Sequence, residues 1–97
     1  MILRIFTTTV PQELHAEFEQ KFKEISTPLV KSFNGLIGLE IGRPTKWNPN
    51  DFVMISKWKS VADLIDFAGE NWNQAHIPEG MEKYIESCSV CHYENID

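Results

Sequence analysis

The chain has no cluster of lysine or arginine. Its 9 cations stand singly among 14 acidic residues, for a net charge of -5 and an isoelectric point near 5.1. A nucleic-acid surface needs cations gathered on one face, so no such partner is expected. Long apolar runs are missing too: none approaches the roughly 20 residues of a membrane-spanning helix, and no membrane association is expected. The N-terminus lacks a basic region followed by an apolar segment and a small-residue cleavage site. It does not read as a signal peptide, and cytoplasmic residence is the expectation. There is no glycine-rich phosphate loop, no Gly-x-Ser-x-Gly elbow and no paired-carboxylate signature. The usual sequence marks of nucleotide binding, serine hydrolysis and glycoside hydrolysis are therefore absent. Cysteine occurs only twice, too rarely for a disulfide framework.

What is present is an order of apolar patterns that fills the 97 residues as one domain, 1–97. A chain of this size buries roughly two thirds of its unfolded surface. Ile2-Leu3-Arg4-Ile5-Phe6 opens a strand reaching about Thr8. Thr9-Val10-Pro11-Gln12 then supplies a helix start, with Thr9 as cap and Pro11 tolerated in the first turn. Leu14, Phe18, Phe22, Ile25 and Leu29 recur at spacings of three and four, one buried stripe. Pro28 predicts a break or kink near Ser26-Thr27, and Asn34-Gly35 predicts a left-handed stop. Leu36 to Gly42 and Phe52 to Trp58 read as a hairpin across a loop of breakers. Ser60 to Asp63 resembles a capping box, Val61 to Ala68 a helix, and Gly69 its end. Glu70 to Gly80 is the least regular stretch. Met81, Tyr84 and Ile85 suggest a short helical turn, and Ser87 to Tyr93 a last strand.

Strand, helix, strand, strand, helix, strand is a split βαβ pattern. It predicts an α+β, ferredoxin-like βαββαβ fold with a four-stranded antiparallel sheet. Alternation places Phe52, Met54 and Trp58 on one face of the third strand and Val53 and Ile55 on the other. In the second strand it groups Ile37, Leu39 and Ile41, with Leu36 opposite. In the first, Leu3 and Ile5 oppose Ile2 and Phe6. Two helices cover only one sheet face. The other would expose more apolar surface than a monomer usually tolerates, so a homodimer with its sheets face to face is expected.

With these elements in place, the chain resembles the antibiotic biosynthesis monooxygenase family of the dimeric α/β-barrel superfamily. The likeness rests on the element order, on Asn34-Gly35-Leu36-Ile37-Gly38-Leu39-Glu40 and on Ile55-Ser56-Lys57-Trp58-Lys59-Ser60. His76 and the terminal Val90-Cys91-His92-Tyr93-Glu94 add to it. The resemblance implies a dimeric α/β barrel with a pocket between sheet and helices in each subunit. Some relatives use such a pocket to oxygenate electron-rich polyphenols or quinols without flavin or metal, and others bind and degrade haem.

His76 is the candidate catalytic residue. An unperturbed imidazole suits deprotonating a phenol, or ligating iron. Trp72, four residues earlier, would share its face if the segment were helical. Phe67, Trp58, Met54, Phe6 and Thr7 complete a candidate binding site for a small aromatic molecule, although such residues also serve as ordinary core. The haem-degrading branch uses an asparagine, a tryptophan and a histidine where Thr7, Phe67 and His76 are aligned here. Only the histidine survives, so no cofactor is expected and haem is a remote alternative. Cys88-Ser89-Val90-Cys91-His92 matches the C-x-x-C-H haem-attachment pattern. On a strand, however, residues three apart face opposite sides, which argues against haem attachment, a disulfide or a metal site there.

Overall fold

The computed structural model describes residues 1–96. Strand β1 (Ile2–Thr9) leads through a tight turn into helices α1 (His15–Lys21) and α2 (Thr27–Lys31). Strands β2 (Leu36–Gly42) and β3 (Asp51–Trp58) follow, then helix α3 (Val61–Ala68) and strand β4 (Ser87–Glu94). The strands form one antiparallel sheet in the order β2-β3-β1-β4, with β1 between the third and fourth strands. This is the ferredoxin-like α+β architecture that the patterns predict. Among the described residues, no helix is long and apolar enough to cross a membrane.

The irregularity expected near Ser26-Thr27 is present, not as a break in the helical segment but as a change of helix type. The segment widens into a π-turn over Phe22–Ser26, where the Thr27 N–H bonds to the Phe22 carbonyl. The Thr27 hydroxyl donates to the same oxygen at 3.2 Å. Pro28 thereby falls in the first turn of α2, where its missing N–H removes no bond. The wider turn also rotates the buried face. Ser26 and Val30 are buried, while Ile25 and Leu29 are only half-covered.

Three other local expectations change. Thr9 lies in β1 and donates its hydroxyl to Asp51 Oδ1 at 2.8 Å, so the following turn has no side-chain cap. Neither Asn34 nor Gly35 is left-handed, and among the described residues positive φ occurs at Gly69 and Gly80. Gly35 is required for another reason: a Cβ there would overlap the side chain of Asp63. Its carbonyl accepts the Lys59 N–H at 2.9 Å, which ties the start of β2 to the start of α3. In β2, the register shifts between Leu36 and Gly38. That bulge reverses the parity of the strand. Leu36, Leu39 and Ile41 therefore pack together on the helix side, and Ile37 is left 50% exposed.

The cap of α3 forms as expected. Ser60 Oγ accepts the Asp63 N–H at 3.2 Å and donates to Asp63 Oδ2 at 2.8 Å. Gly69 ends that helix with φ 86°.

The core lies between the sheet and the helices. Ile2, Phe52, Met54 and Trp58 from the strands meet Phe18, Phe22, Val30 and Leu64 from the helices, with Met81 and Tyr84. Among the described residues, no helix or loop covers the opposite face of the sheet. Leu3 pairs with Tyr93 and Lys57, Ile5 with Cys91 and Ile55, and Thr7 with Ser89 and Val53. Ile55 is 39% and Tyr93 56% exposed there.

Candidate functional site

Within the helix-side layer lies a cavity of about 30 Å³, room for a water or two. Phe6 and Met54 form its sheet wall, and Phe18, Phe22 and Val30 its helix wall. Phe67 of α3, His76 and Pro78 close the outer end. The lining is predominantly apolar, interrupted by Arg4, Ser26, Ser56 and His76.

Of the residues expected at a binding site, Phe6, Met54, Phe67 and His76 are brought together around this cavity. His76 is exposed at the rim, its ring centroid 5.0 Å from that of Phe67 at an interplanar angle of 62°. Trp58 stands behind the wall. It is fully buried, stacks on Phe67 at 5.2 Å and 17°, and donates its indole N–H to Ser56 Oγ at 3.0 Å.

Two residues fall elsewhere. Thr7 alternates with Phe6 and points to the uncovered face of the sheet, away from the cavity. Trp72 does not share a helical face with His76, because the segment between Gly69 and Gly80 contains no helix. Its ring meets His92 edge-on at 4.7 Å and 87°, and it is not part of the lining.

The residue the sequence reading passed over is Arg4. It alternates with Ile2, Phe6 and Thr8 on the core side of β1 and is 3% exposed. Its Nη1 donates to the Trp72 carbonyl at 2.7 Å and meets His92 Nε2 at 2.9 Å. Its Nη2 donates to the Gln74 carbonyl at 3.1 Å. The guanidinium lies 5.7 Å above the Phe67 ring. Burial lowers its pKa to about 10, so it stays charged at neutral pH. Among the described residues no carboxylate is within ion-pair distance of it. A cation at a core-facing strand position was the available signal, since arginine is almost never fully buried without a partner.

His92 completes this arrangement as an acceptor, which requires its Nε2 to be unprotonated. Loss of solvent, and then the charge of Arg4, hold its pKa below the ordinary 6.5. With the folded value depressed, the unfolded chain takes up more protons as pH falls. Stability from this group is therefore complete above about pH 6.5 and declines as pH drops through the folded value. His92→Gln is expected to lessen the fall in Tm between about pH 7.5 and pH 5. A parallel fall in both proteins would rule His92 out as the source.

Cys88 pairs opposite Thr8 and Cys91 opposite Ile5, so the two thiols lie on different faces of β4. Among the described residues, no group of three or more histidine, cysteine or acidic side chains is placed to hold a metal ion.

Comparison with solved structures gives the same fold over nearly the whole chain. A proposed antibiotic biosynthesis monooxygenase from Nitrosomonas europaea superimposes with a TM-score of 0.77 at 14% identity, covering 100% of both chains. One from Bordetella bronchiseptica gives 0.75 at 19% identity, over 98% of this chain and 96% of that one. A variant of MhuD with two manganese protoporphyrin IX molecules bound per active site gives 0.76 at 21% identity, over 99% and 95%. No curated protein gives a significant match. The family model for antibiotic biosynthesis monooxygenases matches residues 1–76, from β1 through His76 at the rim of the cavity. The chain belongs to the antibiotic biosynthesis monooxygenase family.

Proposed function

We propose that the protein is a cofactor-independent monooxygenase for a flat, electron-rich aromatic substrate such as a quinol or polyphenol, working as a homodimer joined through its uncovered sheet faces. The observation that carries this reading is a predominantly apolar cavity walled by Phe6, Met54 and Phe67, with His76 at its mouth, in a chain of this family. His76 takes the proton of a substrate hydroxyl, and the resulting anion passes an electron to molecular oxygen. One oxygen atom enters the product, the other leaves as water with two hydrogens taken from the substrate, and the substrate gives all four electrons, so substrate and oxygen suffice. The chain contributes the aromatic wall, a base and the exclusion of bulk solvent.

The cavity as it stands is too small for an aromatic ring, since small-molecule pockets enclose roughly 300 Å³ or more. Substrate entry therefore requires the outer end to open. The segment from Gly69 to Gly80 is the movable part. It lacks regular structure, carries His76 and is bracketed by two glycines at φ 86° and 91°.

Haem is a poorer match. A porphyrin needs far more room than the cavity has, and Thr7 faces away from it. The bound porphyrins of the MhuD variant describe that protein's site.

Oxygen uptake measured with a panel of hydroquinones and anthrones tests the proposal. Turnover is expected with at least one, and His76→Ala is expected to lower kcat by about 100-fold or more, the usual contribution of a positioned base. Unchanged turnover in that variant removes His76 from the mechanism. No oxygen consumption with any member of the panel points to a ligand-binding or assembly module of the same fold.

A further inference from the structure

Arg4 is a buried cation with no counterion among the described residues, and it lines the cavity beside Phe67. Its three hydrogen bonds go to two backbone carbonyls and one imidazole nitrogen. A guanidinium carries five N–H groups. Both on Nη1 are used and one on Nη2, which leaves the N–H of Nε and one on Nη2. Those two nitrogens share an edge of the fork, the edge that a carboxylate meets with two parallel bonds. Buried charge is costly unless it is paired. Neutral carbonyls compensate it less well than an anion does.

The carbonyls that Arg4 holds are also informative. Trp72 and Gln74 belong to the segment that must move before a ring can enter. Arg4 thus ties the outer wall of the cavity to β1, the middle of the sheet.

We propose that Arg4 is the seat for the carboxylate of an aromatic acid, whose arrival loosens the Trp72 and Gln74 carbonyls and opens the cavity to the attached ring. This deepens the functional reading above and rests on the same cavity. It narrows the substrate class to flat aromatics bearing a carboxylate. The apolar walls take the ring and the guanidinium takes the anion, so each half of the ligand meets its own chemistry. A neutral aromatic of the same shape brings no charge to exchange for the two carbonyl bonds and is expected to bind more weakly.

Calorimetric titration of the full chain with 2-naphthoate and with its neutral counterpart 2-naphthamide tests this. The naphthoate is expected to bind at least ten times more tightly, and Arg4→Met is expected to erase that preference. Amide NMR supplies a second readout that needs no variant. Naphthoate is expected to shift the Asn73 and Ala75 signals, whose peptide groups contain the two carbonyls, and naphthamide is not. Equal binding of the two, binding of neither, or a preference that persists in Arg4→Met overturns the proposal. Oxygen consumption is not read in this experiment. Tight naphthoate binding by a protein that consumes no oxygen with neutral or carboxylated quinols would leave the carboxylate seat standing and remove turnover. Turnover of neutral quinols without any carboxylate preference would do the reverse.

Discussion

Replacing Trp58 with alanine is expected to remove ~3–5 kcal/mol of folding stability, the usual cost of deleting a buried aromatic. Trp58 has no exposed surface. It stacks on Phe67, meets Phe33 edge-on at 6.5 Å, and satisfies the buried Ser56 hydroxyl through its indole N–H. A domain of this size is stable by only about 5–15 kcal/mol, so this one substitution takes a large share. Urea denaturation measures the change directly. Trp58→Phe is expected to be milder, because the ring stack largely survives. It still leaves Ser56 without its donor, at a cost of about 1–3 kcal/mol. A loss below about 1 kcal/mol in Trp58→Ala would mean that the site collapses around the gap. The effect also reaches function, because Trp58 backs the Phe67 ring that closes the cavity. Weakened ligand binding is expected even at temperatures where the variant remains folded.

The second large effect is expected at the uncovered face of the sheet. Ile5 sits on the central part of that face, between Ile55 on β3 and Cys91 on β4. If two copies join there, Ile5→Asp buries a carboxylate against apolar surface in both, which costs several kcal/mol. The dissociation constant is then expected to weaken by about a hundredfold or more, each tenfold being about 1.4 kcal/mol. Sedimentation velocity at micromolar protein is expected to show a dimer for the parent chain and single subunits for the variant. Folding is expected to persist, since Ile5 points away from the intramolecular core. A well-dispersed single subunit in the parent chain would remove the homodimer from the proposal, and with it the reason for the apolar character of that face.

Element type and order were legible because periodicity reports burial directly. The apolar stretch from Phe52 to Trp58 and the cap-to-glycine span from Ser60 to Gly69 needed no tertiary knowledge. Local exceptions were not legible. The bulge at Leu36–Gly38 flips the remainder of β2 to the other face, and a one-residue insertion leaves no mark in composition. The π-turn at Phe22–Ser26 is also invisible, because Pro28 equally suits a break or a first helical turn. Gly35 carried the right signal for the wrong reason. Its requirement is space for Asp63, which lies 28 positions away in the chain.

The candidate site divides along the same line. Phe6 and Met54 were recognisable as apolar strand residues from the parity of their strands, whereas Phe67 and His76 were pointed to by the family resemblance. Trp72 went astray because an irregular segment has no period to follow. Thr7 was placed by alignment with relatives rather than by alternation with Phe6. Arg4 was on the right face from the outset, but a single cation among apolar residues does not say whether it will be paired.

By itself, the amino-acid sequence determined the fold, since strand and helix periods are properties of neighbours along the chain. It determined as well which strand residues share a face, except where a bulge intervened. Only the tertiary structure decided that Arg4, Phe67 and the Trp72–Gln74 backbone meet at one cavity. That meeting joins residues 68 and 70 positions apart, and nothing local in the chain encodes where a buried guanidinium finds its partners.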